Sequence, residues 1–378
     1  MRPRPQRLER LPEQYFTRLL ARVSTAAAED GEPLVDLGRG NPDIPPPAHV
    51  VATLAEAAAR DDTHGYAPFA GLPALKEAIA ARYRDVYGVV VDPEREVAVL
   101  PGSKTGLIEF AQVTTERDEA IVLPDPGYPD YRSAVAMAAA EHVALPLLDD
   151  GRPDWDAAPE SAAALYLNYP SNPVAACVPA GVFEETIAWA QRTGTWVLHD
   201  FAYGDLVFDG RRPQSFLATE GARDVGLELF SMSKSFGMAG WRLGFAIGNA
   251  ELVARIEDLQ NHVFAGIFMP VQHAGIAALT GPQETVEERR AIYEARRDRV
   301  LAALPGVDAR CEGTFFVWFR LPDGLTCERL LDEHRVAVAP GEGFGTRGAG
   351  WARLSLATPD ERLDVGVERL ATALNASV

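Results

Sequence analysis

Strands and helices alternate through the middle of the sequence, and this alternation limits the fold more than any other feature. Short apolar runs rich in β-branched residues recur from about residue 95 to residue 250. The predicted strands are VAVLP (97–101), AIVLP (120–124), ALYLN (164–168), WVLHD (196–200) and GLELF (226–230), with helices from Ser103, from about Tyr128 and around 180–192. This order predicts an α/β fold with a mainly parallel sheet covered by helices. Ligands on such sheets bind at the carboxyl ends of strands.

A second pattern begins after residue 283. One long amphipathic helix, EERRAIYEARRDRVLAAL, is followed by the strand-like runs FFVWF, VAVAP and ARLSLA and by a final helix over about 360–374. We therefore predict a large domain over 46–283 and a smaller α+β domain over 284–378. The N-terminal arm, residues 1–45, is expected to pack with the smaller domain.

Composition and charge exclude several classes of protein. The net charge of −18 argues against nucleic-acid binding, which needs clustered basic surface. No apolar run approaches the roughly 20 residues of a membrane span, and the basic N-terminus lacks the apolar stretch of a secretory signal. Cys177, Cys311 and Cys327 are odd in number and form no CxxC pair. We expect free thiols in a reducing cytoplasm, with neither a disulfide framework nor a metal site.

Lysine is rare in this chain. Only three of the 36 basic residues are lysines, Lys76, Lys104 and Lys234, and the rest are arginines. A lysine is required where an amine must lose its proton and attack a carbonyl, because guanidinium cannot do so. Lys76 lies among charged, helix-forming neighbours, and we predict a solvated side chain there.

The segment SMSKSFGMAGWRLGF (231–245) surrounds Lys234 with polar groups. Ser231 precedes the lysine by three residues and Arg242 follows it by eight. A hydroxyl and a guanidinium around an amine suit a phosphate ester whose aldehyde the amine captures. Taken alone, the segment also suits a glycine-containing surface loop.

Two glycine-containing segments are candidates for anion binding. PGSKTG (101–106) lies between a predicted strand and a predicted helix, where backbone N–H groups bind anions. It lacks the glycine that precedes the lysine of a Walker A loop. GFGTRG (343–348) matches a dinucleotide motif only as a string, because a strand-like segment follows it instead of a helix.

Polar side chains follow two further strands. Asp200 ends WVLHD, and a carboxylate there can pair with a protonated pyridine nitrogen, which keeps the ring able to absorb electrons. Tyr203 and Asn172, in NYPSNP (168–173), can reach the phenolic oxygen of the same ring. As isolated features, Asp200 is a helix cap and Asn-Pro a turn signal.

The motifs PGYPDY, NYPSNP, D-x-x-Y, SxSK-x7-R and ARLSLA, in this order along the chain, resemble the aspartate aminotransferase superfamily, the fold type I pyridoxal-phosphate enzymes. The similarity runs from about residue 34 to the C-terminus. HDFAYGDLVFDG, GSKTG and the run from Gly221 to Asn249 are most similar to alanine and LL-diaminopimelate-type aminotransferases. The resemblance implies a three-layer α/β/α large domain.

The resemblance also implies roles for individual residues. Lys234 would form a Schiff base with pyridoxal 5'-phosphate and then carry the proton between the substrate Cα and the cofactor. The other implied cofactor contacts are Asp200 to the ring nitrogen, Asn172 and Tyr203 to the ring oxygen, Tyr128 to the ring face, and Gly102, Ser103, Lys104, Ser231 and Arg242 to the phosphate. Arg353 would bind the substrate α-carboxylate, and Gly40 would line the substrate pocket. Tyr66 would reach the phosphate of the neighbouring subunit, which implies a homodimer with shared sites.

Several alternatives stay open. Tyr128 and Tyr66 also suit ordinary packing in a core, and Lys104 also suits a solvated side chain. Arg39 occupies a position that is usually small or apolar in relatives, so it either selects a substrate with a distal carboxylate or turns to solvent. The same cofactor chemistry serves C–S lyases and amino-acid cyclases, and a degenerate ligand sensor is a remote alternative to the aminotransferase function.

Overall fold

The structure is a computed structural model and describes residues 4–29 and 31–376. The helices are α1 (Gln6–Glu9), α2 (Tyr15–Ala27), α3 (Ala48–Ala58), α4 (Pro73–Arg82), α5 (Ser103–Thr114), α6 (Tyr131–Ala138), α7 (Val182–Thr193), α8 (Ala222–Val225), α9 (Met232–Ser235), α10 (Ala250–Val263), α11 (Met269–Thr280), α12 (Glu284–Ala303), α13 (Cys327–His334) and α14 (Asp360–Asn375). The strands are β1 (Val35–Asp36), β2 (Val97–Leu100), β3 (Ala120–Asp125), β4 (Glu141–Pro146), β5 (Ala164–Asn168), β6 (Trp196–Asp200), β7 (Gly226–Ser231), β8 (Gly244–Gly248), β9 (Ala309–Arg310), β10 (Phe316–Arg320), β11 (Val336–Ala337), β12 (Ala339–Pro340) and β13 (Trp351–Ser355).

The large sheet has the order β2-β8-β7-β6-β5-β3-β4. Its central strands are parallel, and every residue of β5 and β7 is buried, because helices cover both faces. The predicted α/β class with a mainly parallel sheet is confirmed. Two strands were missed: β4 is an edge strand with mixed exposure, and β8 is antiparallel to β2 and β7 and begins and ends on glycine. Neither carries a long apolar run.

Helix α6 begins at Tyr131 instead of near Tyr128. Pro129 explains the difference, since a proline disfavours the helical conformation of the residue before it. Tyr128 therefore stays in the loop after β3, where its side chain is half-buried. The helix itself was predicted correctly, but its first residue was placed too early in the chain.

A smaller antiparallel sheet, β12-β13-β10-β9, shares one hydrophobic core with α12 and α14. In its centre Trp318 of β10 pairs with Arg353 of β13, so the arginine is fixed in the middle of a buried strand. The N-terminal arm joins this region, because β1 pairs in parallel with β11 and α2 packs against α13. Tyr15 at the start of α2 donates a hydrogen bond to the carbonyl of Pro340 at 2.8 Å.

The predicted exposure of Lys76 is wrong. Its relative exposure is 7%, and its Nζ lies 2.5 Å from Glu257 Oε1 on α10. Neighbouring charges along α4 suggested a solvated face, but α4 packs against α11 and the sheet. The carboxylate comes from 181 positions away in the sequence, so no local pattern reveals it.

The three cysteines are free in the structure, with Cys177 half-buried and the other two buried. Among residues 4–29 and 31–376, no helix is long and apolar enough to cross a membrane.

Candidate active site

A cleft of about 250 Å³ opens at the carboxyl ends of β5 and β6. The large sheet forms its floor, α2 and residues 36–41 form one wall, and the smaller sheet closes the far side. The lining includes ten residues that the sequence analysis selected: Arg39, Gly40, Ser103, Lys104, Tyr128, Asn172, Asp200, Tyr203, Lys234 and Arg353. Gly102, Ser231 and Arg242 border the cleft near Ser103, whereas Tyr66 lies elsewhere.

The amine of Lys234 forms no ion pair with the residues that the structure describes. It lies on the short helix α9, and its Nζ has one long contact, 3.5 Å to the carbonyl oxygen of Gly40. The rings of Tyr203 and Phe315 flank it at 5.7 and 5.2 Å. Burial, together with the positive charge of Arg353, lowers the pKa of Lys234 to about 8. A substantial fraction of the amine is therefore neutral near physiological pH and can act as a nucleophile.

Asp200 is a buried carboxylate at the end of β6. Tyr131 donates a hydrogen bond to its Oδ2 at 2.8 Å, and the Ala202 backbone N–H donates to Oδ1 at 3.2 Å. Burial raises the pKa of Asp200, and the two hydrogen bonds oppose this rise. A cationic ring nitrogen in the cleft would stabilise the charged form.

Tyr131 was missed as a site residue. Of the two tyrosines in PGYPDY, only Tyr128 was predicted to have a role. Tyr131 is the first residue of α6, and its side chain is 1% exposed. The available signal was the spacing of three residues between two tyrosines after a strand, which places both near the same strand end.

Asn172 and Tyr203 have free donors in the cleft. Asn172 accepts a hydrogen bond from Arg353 Nη1 on its Oδ1 at 2.7 Å, while its Nδ2 has no hydrogen-bond partner among the described residues. The hydroxyl of Tyr203 likewise makes no hydrogen bond within residues 4–29 and 31–376. Asn168, also missed, fixes the loop by accepting from the Asn172 backbone N–H at 2.7 Å and donating to the Asp200 carbonyl at 2.8 Å.

The start of α5 forms an anion-binding end of the cleft. Gly102 caps this helix at φ 88°, and no side chain caps the first N–H groups. A Cβ at Gly102 would lie 2.1 Å from Arg242 Nη2, so the glycine lets the guanidinium approach the helix start. Ser231 lies opposite Gly244 in the sheet, next to Ser103, and its Oγ accepts from the Ser233 N–H at 3.2 Å. Backbone donors and a guanidinium together suit a phosphate group.

Arg353 is a buried cation that has no acidic partner in the described part of the chain. It is 1% exposed, and its hydrogen bonds go to Asn172 Oδ1 and to the Gly38 carbonyl at 3.1 Å. Its Nε has no partner within the described chain. Burial lowers the pKa of Arg353 to about 10. A carboxylate entering the cleft would neutralise this charge and bind the free donors of the guanidinium.

Arg353 also lies among aromatic rings. Its guanidinium carbon is 3.8 Å from the ring centre of Phe316, 4.8 Å from that of Phe344 and 5.4 Å from that of Phe16. Gly40 lies directly against one of these rings, since a Cβ at this position would lie 2.8 Å from the Phe316 ring. These contacts limit the orientations of the guanidinium.

A polar cluster lies beside the anion-binding end. Asp130 pairs with Lys104 Nζ at 2.8 Å, accepts from the Tyr128 hydroxyl at 2.6 Å and from Gln14 Nε2 at 3.1 Å. Lys104 is half exposed, yet it is ion-paired and not simply solvated. Tyr128 lines the cleft with its ring, as the prediction of a ring-facing role requires.

Two further selected residues, Tyr66 outside the cleft and Arg39 in its lining, are exposed. Tyr66 is 87% exposed, so the alternative of a buried tyrosine is wrong, and its side chain is available to a second subunit. Arg39 lies exposed at the mouth of the cleft and has no hydrogen bond or ion pair with the described residues. Both alternatives for Arg39 stay open.

The donor set fits pyridoxal phosphate. A partly neutral amine suits an aldehyde, and a buried carboxylate with only neutral hydrogen-bond donors suits a protonated ring nitrogen. Asn172 and Tyr203 keep donors free for a ring oxygen. The uncapped start of α5 beside Arg242 suits a phosphate.

Comparisons with known proteins agree with this geometry. Residues 32–370 match the family model of aminotransferase class I and II. The chain is 43% identical over 376 residues to L-glutamine--4-(methylsulfanyl)-2-oxobutanoate aminotransferase of Bacillus subtilis (strain 168), which covers 96% of this chain and 94% of that protein. It is 36% identical over 381 residues to LL-diaminopimelate aminotransferase of Moorella thermoacetica, with 97% of each covered. Substrate-bound BacF of Bacillus subtilis has a similar fold, with a TM-score of 0.92, 38% identity and 98% of each chain covered.

Proposed function

The chain belongs to the class I and II aminotransferases, and we propose that it holds pyridoxal phosphate in the cleft around Lys234 and moves amino groups there between an L-amino acid and a 2-oxo acid. The resemblance read from its motifs is confirmed, and with it the conclusion that the protein is a transaminase of amino-acid metabolism. The cofactor and the residue roles are the proposal.

One observation carries it: a partly neutral lysine, a buried carboxylate and an unpaired guanidinium line the same cleft. When bound, pyridoxal phosphate supplies an aldehyde for the amino group and a ring that takes up electron density. Asp200 holds a proton at the ring nitrogen, and Asn172 and Tyr203 donate to the ring oxygen. The remaining contacts are Tyr128 at the ring face and Gly102, Ser103, Lys104, Ser231 and Arg242 at the phosphate.

The other residues act on the substrate. Arg353 binds the α-carboxylate in a two-point contact and so fixes the substrate Cα within reach of Lys234. The freed amine of Lys234 would then take the proton from Cα and deliver it to the carbon that carried the cofactor's aldehyde, which leaves Lys234 free to take up the next proton. Gly40 keeps the wall beside Arg353 thin enough for the carboxylate to enter.

Transfer of the amino group is tested directly with a panel of donors and acceptors. We expect the purified holoenzyme to consume the amino acid and the 2-oxo acid in equal amounts. In the absence of an acceptor, each bound cofactor should react with one donor molecule, which is followed as a change in the absorbance of the cofactor. Release of pyruvate and ammonia from cysteine-type substrates, without any transfer to an acceptor, would contradict the proposal and favour the C–S lyase alternative.

The wall of the cleft that α2 and residues 36–41 form bears on substrate choice. Phe16, Leu19 and Leu20 of α2 present apolar surface, whereas Arg39 adds an unpartnered cation at the mouth. We assign the apolar wall to the side chain of a neutral amino acid and Arg39 to the distal carboxylate of a dicarboxylic one. The relative that acts on glutamine and 4-(methylsulfanyl)-2-oxobutanoate supports a site that accepts both polar and apolar side chains.

Arg39→Ala tests this assignment. We expect kcat/KM for dicarboxylic amino acids to fall about tenfold or more, since a charge-assisted contact contributes about 1.5–3 kcal/mol. The value for neutral amino acids should stay within about twofold, because the apolar wall is untouched. Steady-state kinetics on both classes give the comparison, and an equal loss on both contradicts the assignment.

The protein is further assigned to a homodimer with shared sites. Two exposed apolar side chains belong to the same part of the structure: Phe69 lies three residues after Tyr66, and Phe268 packs beside His64 at 6.0 Å between ring centres. A second subunit would bury this surface and bring Tyr66 to the partner's phosphate. The domain division at residues 45/46 and 283/284 and the cytoplasmic location stay predictions.

A further inference from the structure

The GFGTRG segment binds an internal carboxylate. Asp125, the last residue of β3, is 6% exposed and receives three hydrogen bonds from this segment. Thr346 Oγ1 donates at 2.6 Å and the Thr346 N–H at 3.2 Å to Oδ2, while the Arg347 N–H donates at 3.1 Å to Oδ1. The segment thus uses its backbone donors on a carboxylate of this chain and not on a nucleotide phosphate.

Gly345 makes this approach possible. Its φ is 144°, and a Cβ there would lie 2.0 Å from Asp125 Oδ1. A side chain would therefore push the carboxylate out of its donors. The contact with Asp125 explains the middle glycine of GFGTRG, whereas Gly343 and Gly348 lie against Tyr15 and the Gly341 carbonyl.

The same segment carries Phe344, one of the three rings around Arg353. A further hydrogen bond, from the Gly127 N–H to the Phe344 carbonyl at 2.8 Å, anchors the segment to the loop after β3. Phe344 meets Tyr15 and Trp318 edge-on at 5.3 and 6.0 Å between ring centres. The two anchors are Asp125, at the end of β3 in the large sheet, and Gly127, in the loop after β3. Arg353 lies in the smaller sheet.

We infer that Asp125 is a positioning residue for the substrate carboxylate: it holds the 343–347 segment so that Phe344 keeps Arg353 aimed into the cleft. Arg353 has no acidic partner to fix its orientation, so its rings and its two hydrogen bonds must do so. Releasing the segment removes one ring face and lets the guanidinium sample orientations that do not meet the carboxylate. The inference rests on the proposed role of Arg353.

Asp125→Ala in the holoenzyme tests the inference. We expect KM for both the amino acid and the 2-oxo acid to rise about tenfold, the scale of coupling between contacting groups. The single-turnover rate with the corresponding amine that lacks the α-carboxylate should stay within about twofold, because that amine does not use Arg353. Thr346→Val, which removes one of the three hydrogen bonds, should give a smaller rise in the same direction.

Asp209→Asn is the matched control. Asp209 also joins two distant segments, through Arg297 at 2.8 Å, but it does not line the cleft. Its KM values should be unchanged even if the variant is less stable. A general loss of stability would lower both the amino-acid and the amine reaction of Asp125→Ala, and this equal loss would overturn the inference, as would an unchanged KM.

Arg353→Gln separates the two claims. If this variant raises KM for amino acids and Asp125→Ala does not, the positioning role of Asp125 fails while the proposed site stands. If Arg353→Gln leaves KM unchanged, the carboxylate-binding role of Arg353 fails, and the inference about Asp125 falls with it.

Discussion

Lys234→Arg lowers the rate of amino transfer by on the order of 10⁴-fold, the upper range for a lost general acid–base group, and more where the lost nucleophile also limits turnover. Arginine keeps the positive charge and much of the length of the side chain but cannot lose its proton to attack a carbonyl. The variant should therefore retain its fold and its cleft. The measurement is single-turnover conversion of a donor identified with the panel above.

The environment of Lys234 also predicts its pH dependence. With a pKa of about 8, burial having lowered it, about one amine in ten is neutral at pH 7, against roughly one in 3,000 for an ordinary lysine. The rate at which cofactor-free protein captures pyridoxal phosphate should thus rise with pH and level off above about 8. A rise that continues past pH 10 would contradict a lowered pKa.

Lys76→Arg is the matched control for Lys234→Arg. Lys76 is a buried lysine outside the cleft, and arginine can keep the ion pair with Glu257. We expect its transfer rate to stay within about twofold of the native rate. A Lys234→Arg variant as active as Lys76→Arg would contradict the role of Lys234.

Asp200→Asn is expected to lower the transfer rate by on the order of 10²- to 10³-fold, the loss typical of removing one preorganised electrostatic group. Asparagine preserves the shape of the side chain: its oxygen can still accept from the Ala202 N–H, and its amide nitrogen can donate to the Tyr131 hydroxyl in place of the present acceptor. It cannot hold a proton on the ring nitrogen by charge. The loss should appear in the rate of Cα–H cleavage, measured with substrate deuterated at Cα, as an increased isotope effect.

Tyr131→Phe gives the companion measurement for Asp200. It removes one hydrogen bond from the carboxylate but keeps the charge, so the loss should stay below about tenfold. Equal losses in the two variants would indicate that packing around Asp200, and not its charge, governs the rate. Native activity in Asp200→Asn would contradict the assignment of Asp200 to the ring nitrogen.

The sequence alone predicted the central sheet because its strands are buried on both faces and therefore read as continuous apolar runs. The polar residues that end those strands, Asp200 among them, could be selected for the same reason: a charged group directly after a buried strand needs a partner. Ten selected residues line one cleft. The edge strand β4 and the glycine-flanked β8 lack this signal, and both were missed.

Contacts between distant parts of the chain could not be predicted. The partner of Lys76 lies 181 positions away, and the donors to Asp125 lie 221 and 222 positions away. Tyr131 was missed because its hydroxyl reaches Asp200 only after the turn at Pro129 places α6 over the sheet. Local residue patterns carry no information on which helix face meets which strand end.

The central claim is that Lys234 is the amine that captures the cofactor aldehyde. Borohydride reduction of the yellow holoenzyme, followed by proteolysis and mass spectrometry of the labelled peptide, tests it most directly. The account predicts one phosphopyridoxyl group per chain, attached to Lys234 in the peptide that contains SMSKSFG. A label on Lys76 or Lys104, or a protein that stays colourless and unlabelled after addition of pyridoxal phosphate, would contradict it.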